Sequence, residues 1–137
     1  MQVRAFRPDD EPEVDALWRA IFPESPPWKE SNDDIRRKLA VQPELFLVAN
    51  EGGRIVGTTM AGYDGHRGWV YLVAVVPELR RRGIGRALMV EAERRLIALG
   101  CPKLNLQVRG TNRDVVAFYE RLGFAVEDRV SLGKRLG

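Results

Sequence analysis

The chain has 137 residues, 45% of them apolar, which is enough for a single core, so one domain spanning 1–137 is expected. One cysteine, Cys101, and one histidine, His66, exclude an internal disulfide framework and a cysteine- or histidine-rich metal centre, so no metal is expected. With 22 Lys+Arg against 19 Asp+Glu the net charge is +3, too mild to imply nucleic acid, and no run approaches the roughly 18 apolar residues of a membrane span.

The first residues, Met1 to Arg7, lack the basic-then-apolar order of a secretory signal, and a cytoplasmic location is expected. Gln2 to Arg7 reads as a strand, followed by the helix-start signals Asp9, Asp10, Glu11 and Pro12. Val14, Leu17, Trp18 and Ile21 then recur at helical spacing and give one apolar face. Pro23 to Lys29 holds three prolines and one tryptophan, Trp28, and is expected to be a shaped loop. Ser31 with Asp34 resembles a capping box for a second helix that carries Ile35 and Leu39, with Arg36 to Lys38 toward its negative end.

In the middle of the chain, Leu45 to Asn50, Ile55 to Tyr63 and Trp69 to Val76 are rich in β-branched and aromatic residues. Short glycine-bearing turns separate them, so an antiparallel meander is expected. A long helix starts at Ile84, with Leu88, Ala92 and Leu96 on one face and Gly100 at its end. Leu104 to Arg109 alternates as a strand, and Val115, Phe118, Tyr119 and Leu122 mark a last helix closed by Gly123. Phe124 to Leu136 reads as two short strands. The fold class is α+β: a mixed central sheet of about six to seven strands flanked by about four helices. An exposed edge strand in the tail would suit a homodimer.

The turn Arg80-Arg81-Arg82-Gly83-Ile84-Gly85 lies between a strand and a helix start, where free N–H groups and about half a positive charge favour an anion. It is either a pyrophosphate cradle or an ordinary exposed basic reversal. GxxxxGK(S/T) is absent, which excludes a P-loop. Gly83-Ile84-Gly85-Arg86-Ala87-Leu88 places Leu88 where a dinucleotide fingerprint needs its third glycine, and antiparallel strands precede it.

Arg80-x-x-Gly83-x-Gly85 resembles the (Q/R)-x-x-G-x-(G/A) signature of the GNAT family of N-acetyltransferases, and Asn112 with Ala117 to Phe124 resembles that family's N-x4-A-x-x-(F/L)-Y-x-x-x-G-F stretch. The resemblance covers nearly the whole chain; Tyr63 to Gly68 and Ser131 to Leu136 look closest to short bacterial acetyltransferases of the YpeA type. It implies a single GNAT domain that takes acetyl-CoA as acyl donor and a small-molecule or peptide amine as acceptor, without a metal.

Carried onto this chain, the resemblance implies that the backbone of Val73, Ala74 and Val75 pairs with the pantetheine arm. Arg81, Arg82, Gly83, Ile84, Gly85 and Arg86 would hold the pyrophosphate, with Arg80, Arg82 or Arg86 near its oxygens. Asn112 would fix the pantetheine or diphosphate region, or else simply cap its helix. Tyr119 is either a buried aromatic or the acid that protonates the departing thiolate. The family often keeps a carboxylate on the strand occupied here by Trp69 to Val76; none stands there, which leaves the base unassigned. His66, Tyr71, Glu24 and a water relay compete for that role, and Trp28, His66 and Tyr71 are the acceptor-side candidates. The missing carboxylate also leaves open a catalytically weak acyl-CoA-binding sensor or partner module. Neither Arg80–Arg82 nor Arg36–Lys38 contains an aromatic for base stacking, which argues against nucleic acid as a partner.

Overall fold

A computed structural model describes residues 1–22 and 31–137; the loop from Pro23 to Lys29, with Glu24 and Trp28, lies outside the described residues. The chain forms two compact units, Met1–Leu106 and Gln107–Gly137. The first contains strands β1 (Gln2–Ala5), β2 (Phe46–Glu51), β3 (Arg54–Tyr63), β4 (Gly68–Val75) and β5 (Leu104–Asn105), and helices α1 (Glu11–Ile21), α2 (Ser31–Leu39) and α3 (Ile84–Ala98). The second contains helix α4 (Arg113–Arg121).

The five strands form one sheet in the order β1-β2-β3-β4-β5. The first four are antiparallel, as the short turns require, and β5 lies parallel to β4 after the α3 crossover. The sheet is mixed as expected, but it has five strands rather than six or seven. The difference lies in the tail: Phe124 to Leu136 alternates like a strand yet forms no strand pairing among the described residues, and Val130 and Leu132 are 85% and 91% exposed. Period-two alternation supplies a face, whereas a strand also needs a neighbouring backbone to bond. The strand expected over Leu104 to Arg109 likewise shortens to two residues.

Successive residues of β3 point to opposite faces, and each face carries a different helix layer. Gly57 faces α3: a Cβ there would stand 2.9 Å from Leu88 Cδ1 and 3.0 Å from Ile84 Cγ2. The next residue, Thr58, faces α1 and receives the indole N–H of Trp18 at 2.9 Å. The bare Gly57 backbone therefore sets how closely the first turn of α3 can approach the sheet, and so where the preceding basic turn stands. At the other end of the layer, Arg4 of β1 grips Asp10 with two bonds of 2.8 and 3.0 Å, and the Arg7 N–H adds a third at 2.8 Å. Burial pushes the Asp10 carboxyl up, but the Arg4 and Arg7 bonds outweigh it and hold the carboxyl below its usual range. Among the described residues no helix is long and apolar enough to cross a membrane.

Candidate functional site

The basic turn ends in an open helix start. A short 3-10 turn, Pro77–Leu79, leads into Arg80 in extended conformation. Arg81 and Gly83 then both take positive φ, 66° and 81°. Gly83 is the N-cap of α3 and offers no side chain to cap it. The first bond closing the helix is Ala87 N–H to the Gly83 carbonyl at 2.9 Å. The N–H groups of Arg81 through Arg86 have no acceptor among the described residues, as the first turn of any uncapped helix must. Left-handed residues alternating with others turn successive N–H groups toward one side, which makes a concave anion site.

The side chains agree with the backbone. Arg4, Arg19, Arg36, Arg37, Arg94 and Arg95 each pair with a carboxylate. Arg80, Arg81, Arg82 and Arg86 are exposed and make no ion pair among the described residues. Unneutralised cations around free N–H groups are what a diphosphate needs.

Strand β4 leads into this turn, and two of its features bear on function. β5 pairs with it only at Gly68 and Trp69, so from Val70 to Val75 no strand lies along its β5 side. On the β3 side the register slips: Thr58 pairs with Ala74, but Met60 pairs with Tyr71, so β4 carries one extra residue. Leu72 absorbs the bulge at φ 53°. Its carbonyl accepts the Thr58 hydroxyl at 2.8 Å, and Thr58 accepts the Trp18 indole. This buried chain pins the bulge. Sequence reasoning missed it, because nothing local to Leu72 marks a positive φ and its supports lie 14 and more residues away.

In the second unit, the Asn112 side chain accepts the Val115 N–H at 3.4 Å, the capping arrangement, which leaves its amide NH2 without a partner among the described residues. Tyr119 is buried, edge-on to Phe118 at 5.0 Å and to Phe124 at 5.6 Å. Its carbonyl receives the Leu122 and Phe124 N–H groups as the helix ends at Gly123, φ 96°. Its hydroxyl has no hydrogen-bond partner among the described residues, and burial pushes its pKa up to about 12. The phenol therefore keeps its proton at any physiological pH.

The acceptor-side candidates separate. His66 is exposed in the β3–β4 turn, where Asp64 Oδ1 accepts the backbone N–H groups of His66 and Arg67 at 2.8 and 2.7 Å. Tyr71 stacks on Trp69 at 6.4 Å, and partial burial, with Asp64 nearby, pushes its hydroxyl up. Lys38, read from sequence as one of a charged helix end, is buried instead.

The Acetyltransferase (GNAT) family model matches residues 11–124. An acetyltransferase of Sodalis glossinidius is 50% identical over 137 residues, 99% of this chain and 96% of that protein. Among solved structures, Ard1 of Thermoplasma volcanium superposes with a TM-score of 0.80 at 26% identity, over 92% of this chain and 83% of that one. The aminoglycoside acetyltransferase AAC(6')-Iy, solved with a CoA-linked bisubstrate analogue, gives a TM-score of 0.83 over 99% and 98% of the two chains; at 18% identity that likeness is one of fold.

Proposed function

The chain belongs to the GNAT acetyltransferase family, and from that premise we propose that it moves an acetyl group from acetyl-CoA to a primary amine, directly, in a ternary complex. The observation that carries the reading is the open start of α3: six successive N–H groups from Arg81 to Arg86 without acceptors among the described residues, beside four arginines that make no ion pair among them. GNAT enzymes use acetyl-CoA, and this arrangement fits its diphosphate. We assign the pyrophosphate to the backbone of Arg81, Arg82, Gly83, Ile84, Gly85 and Arg86, with Arg80, Arg82 or Arg86 on its oxygens. The pantetheine amides then pair along the free edge of Val73, Ala74 and Val75, as a strand would. Asn112 uses its oxygen as a cap and its NH2 toward the pantetheine or diphosphate. Both units, 1–137, act as one transferase domain.

Transfer forms a bond from the amine nitrogen to the acetyl carbon and breaks the carbon–sulfur bond. Tyr119 gives the departing thiolate a hydrogen bond or its proton, and a phenol held near pKa 12 by burial regains that proton from the water that receives the amine's, so it ends the cycle protonated. The amine must shed a proton, since an amine of pKa about 10.4 is only about 0.04% neutral at pH 7. β4 carries no Asp or Glu to take it, so water reaching the site beside Tyr71 is the outlet.

Free-CoA release over a broad amine panel tests the reading. Turnover with at least one amine, lowered in kcat by Tyr119→Phe, is expected. Tight acetyl-CoA binding with no turnover on any amine would instead establish the acyl-CoA sensor that the missing β4 carboxylate suggests.

A further inference from the structure

Lys38 occupies an unusual place for a lysine. On α2 it lies three residues after Ile35, on the same helix face, and the two are 8% and 1% exposed. Its Nζ reaches β3, where a Cβ on Gly62 would stand 3.6 Å from it. Gly62 pairs across the sheet with Trp69, and Met60 with Tyr71, so Lys38 shares one face with the stacked Trp69–Tyr71 rings. Tyr71 remains 51% exposed, which opens this corner to solvent. Gln42 frames it, its amide holding both the N–H and the carbonyl of Tyr63 at 2.9 and 3.0 Å.

The Lys38 ammonium has no ion pair among the described residues, and although the side chain is largely covered its Nζ is not among the fully buried atoms. Burial pushes its pKa down, and the Glu44 carboxylate, which forms no ion pair with it, offsets this in part. A partly desolvated cation with no protein partner among the described residues is a ready partner for a ligand carboxylate. The diphosphate of the acyl donor is not that ligand. The cradle follows the far end of β4, six residues beyond Trp69, roughly 20 Å at about 3.3 Å per residue.

We propose that Lys38 is a specificity-determining residue for the acceptor, and that the acceptor is an amine that also carries a carboxylate, ion-paired to Lys38 against the Trp69–Tyr71 wall. The inference rests on the acetyl-transfer reading and narrows its substrate class. Free amino acids and the acidic first residue of a peptide share this chemistry.

The test is free-CoA release by the wild-type chain, Lys38→Met and Lys38→Arg, with matched acceptors: free amino acids and their carboxamides, and dipeptides whose first residue is Asp or Glu beside those with Asn or Gln. The wild type should favour the carboxylate member by at least about tenfold in kcat/KM. Lys38→Met should bring that ratio near one by raising the acceptor KM, with the KM for acetyl-CoA unmoved, and Lys38→Arg should keep most of it. Preference within the amino-acid pairs points to a small metabolite, and preference within the dipeptide pairs to a peptide. Lys38→Met should melt no lower than the wild type, because it removes a desolvated charge that no ion pair among the described residues holds. Equal use of acid and amide, a preference that survives Lys38→Met, or a lower melting temperature in that variant would overturn the inference while leaving acetyl transfer intact. Acetyl-CoA binding without turnover on any amine would overturn both.

Discussion

Two helices of this chain follow loops, and they begin in opposite ways. α4 starts behind Asn112, whose side chain accepts the Val115 N–H and closes one of the free donors. α3 starts behind Gly83, which has no side chain, holds φ 81°, and leaves its first-turn donors free amid unpaired arginines. A capped start leaves fewer donors for a ligand; an uncapped, cationic one leaves more. The missing cap alone does not set α3 apart, since α1 also starts without a side-chain cap, and positive-φ glycines also occur at Gly52, Gly53 and Gly65 in ordinary turns; what distinguishes α3 is the free donors together with the surrounding arginines.

The largest effect that sharpens this contrast lies on α4. If α4 contributes chemistry through Tyr119 and structure through Asn112, Tyr119→Phe should lower kcat by about 10²–10⁴-fold with little change in the KM for acetyl-CoA. A stopped assay at saturating donor checks it. The pH dependence carries the same signature. The folded Tyr119 pKa, about 12, exceeds the ordinary value of about 10. Its contribution to stability is thus full below about pH 10 and declines as pH rises toward 12, because the unfolded chain ionises first. Denaturant titrations of the wild type and Tyr119→Phe across that window should diverge as the pH rises, the wild type alone losing stability.

Next comes the support of β4. Thr58→Val keeps the shape but strands the Trp18 indole N–H and the Leu72 carbonyl, which should cost about 1–3 kcal/mol of stability. It should also lower turnover, while Thr58→Ser restores both; chemical denaturation beside the CoA-release assay separates the two readouts. The smallest effect is at the capped start: Asn112→Ala should cost about 1 kcal/mol and Asn112→Gly a few tenths, measured by thermal melting. A loss of acetyl-CoA affinity in both variants alike would assign the NH2 of Asn112 to the ligand as well.

Much of this was legible in the sequence because it is written in local chemistry. Pro77, the basic run and Gly83 announce a turn before a helix, and the glycine-separated β-branched segments announce the meander. Val14, Leu17 and Trp18 mark a core face, and the structure buries all three. What escaped depends on distant partners. The bulge at Leu72 is held by the Thr58 hydroxyl, which donates to its carbonyl and accepts the Trp18 indole N–H. Lys38 reads as one of three cations at a helix end, and only the approach of α2 to Gly62 buries it. The tail has the alternation of a strand but forms no strand pairing among the described residues, and local pattern does not report pairing.

The central claim is that the open start of α3 holds the diphosphate of acetyl-CoA, and calorimetric titration of acetyl-CoA into the wild type and Gly83→Glu tests it most directly. A Cβ on Gly83 would meet no atom within 4 Å, so the substitution adds strain at φ 81° and a negative charge among the free donors without a clash in the core. Micromolar binding to the wild type and at least about 100-fold weaker binding to a folded Gly83→Glu, roughly 2.7 kcal/mol, is the predicted result. Equal affinity in the two proteins would contradict it.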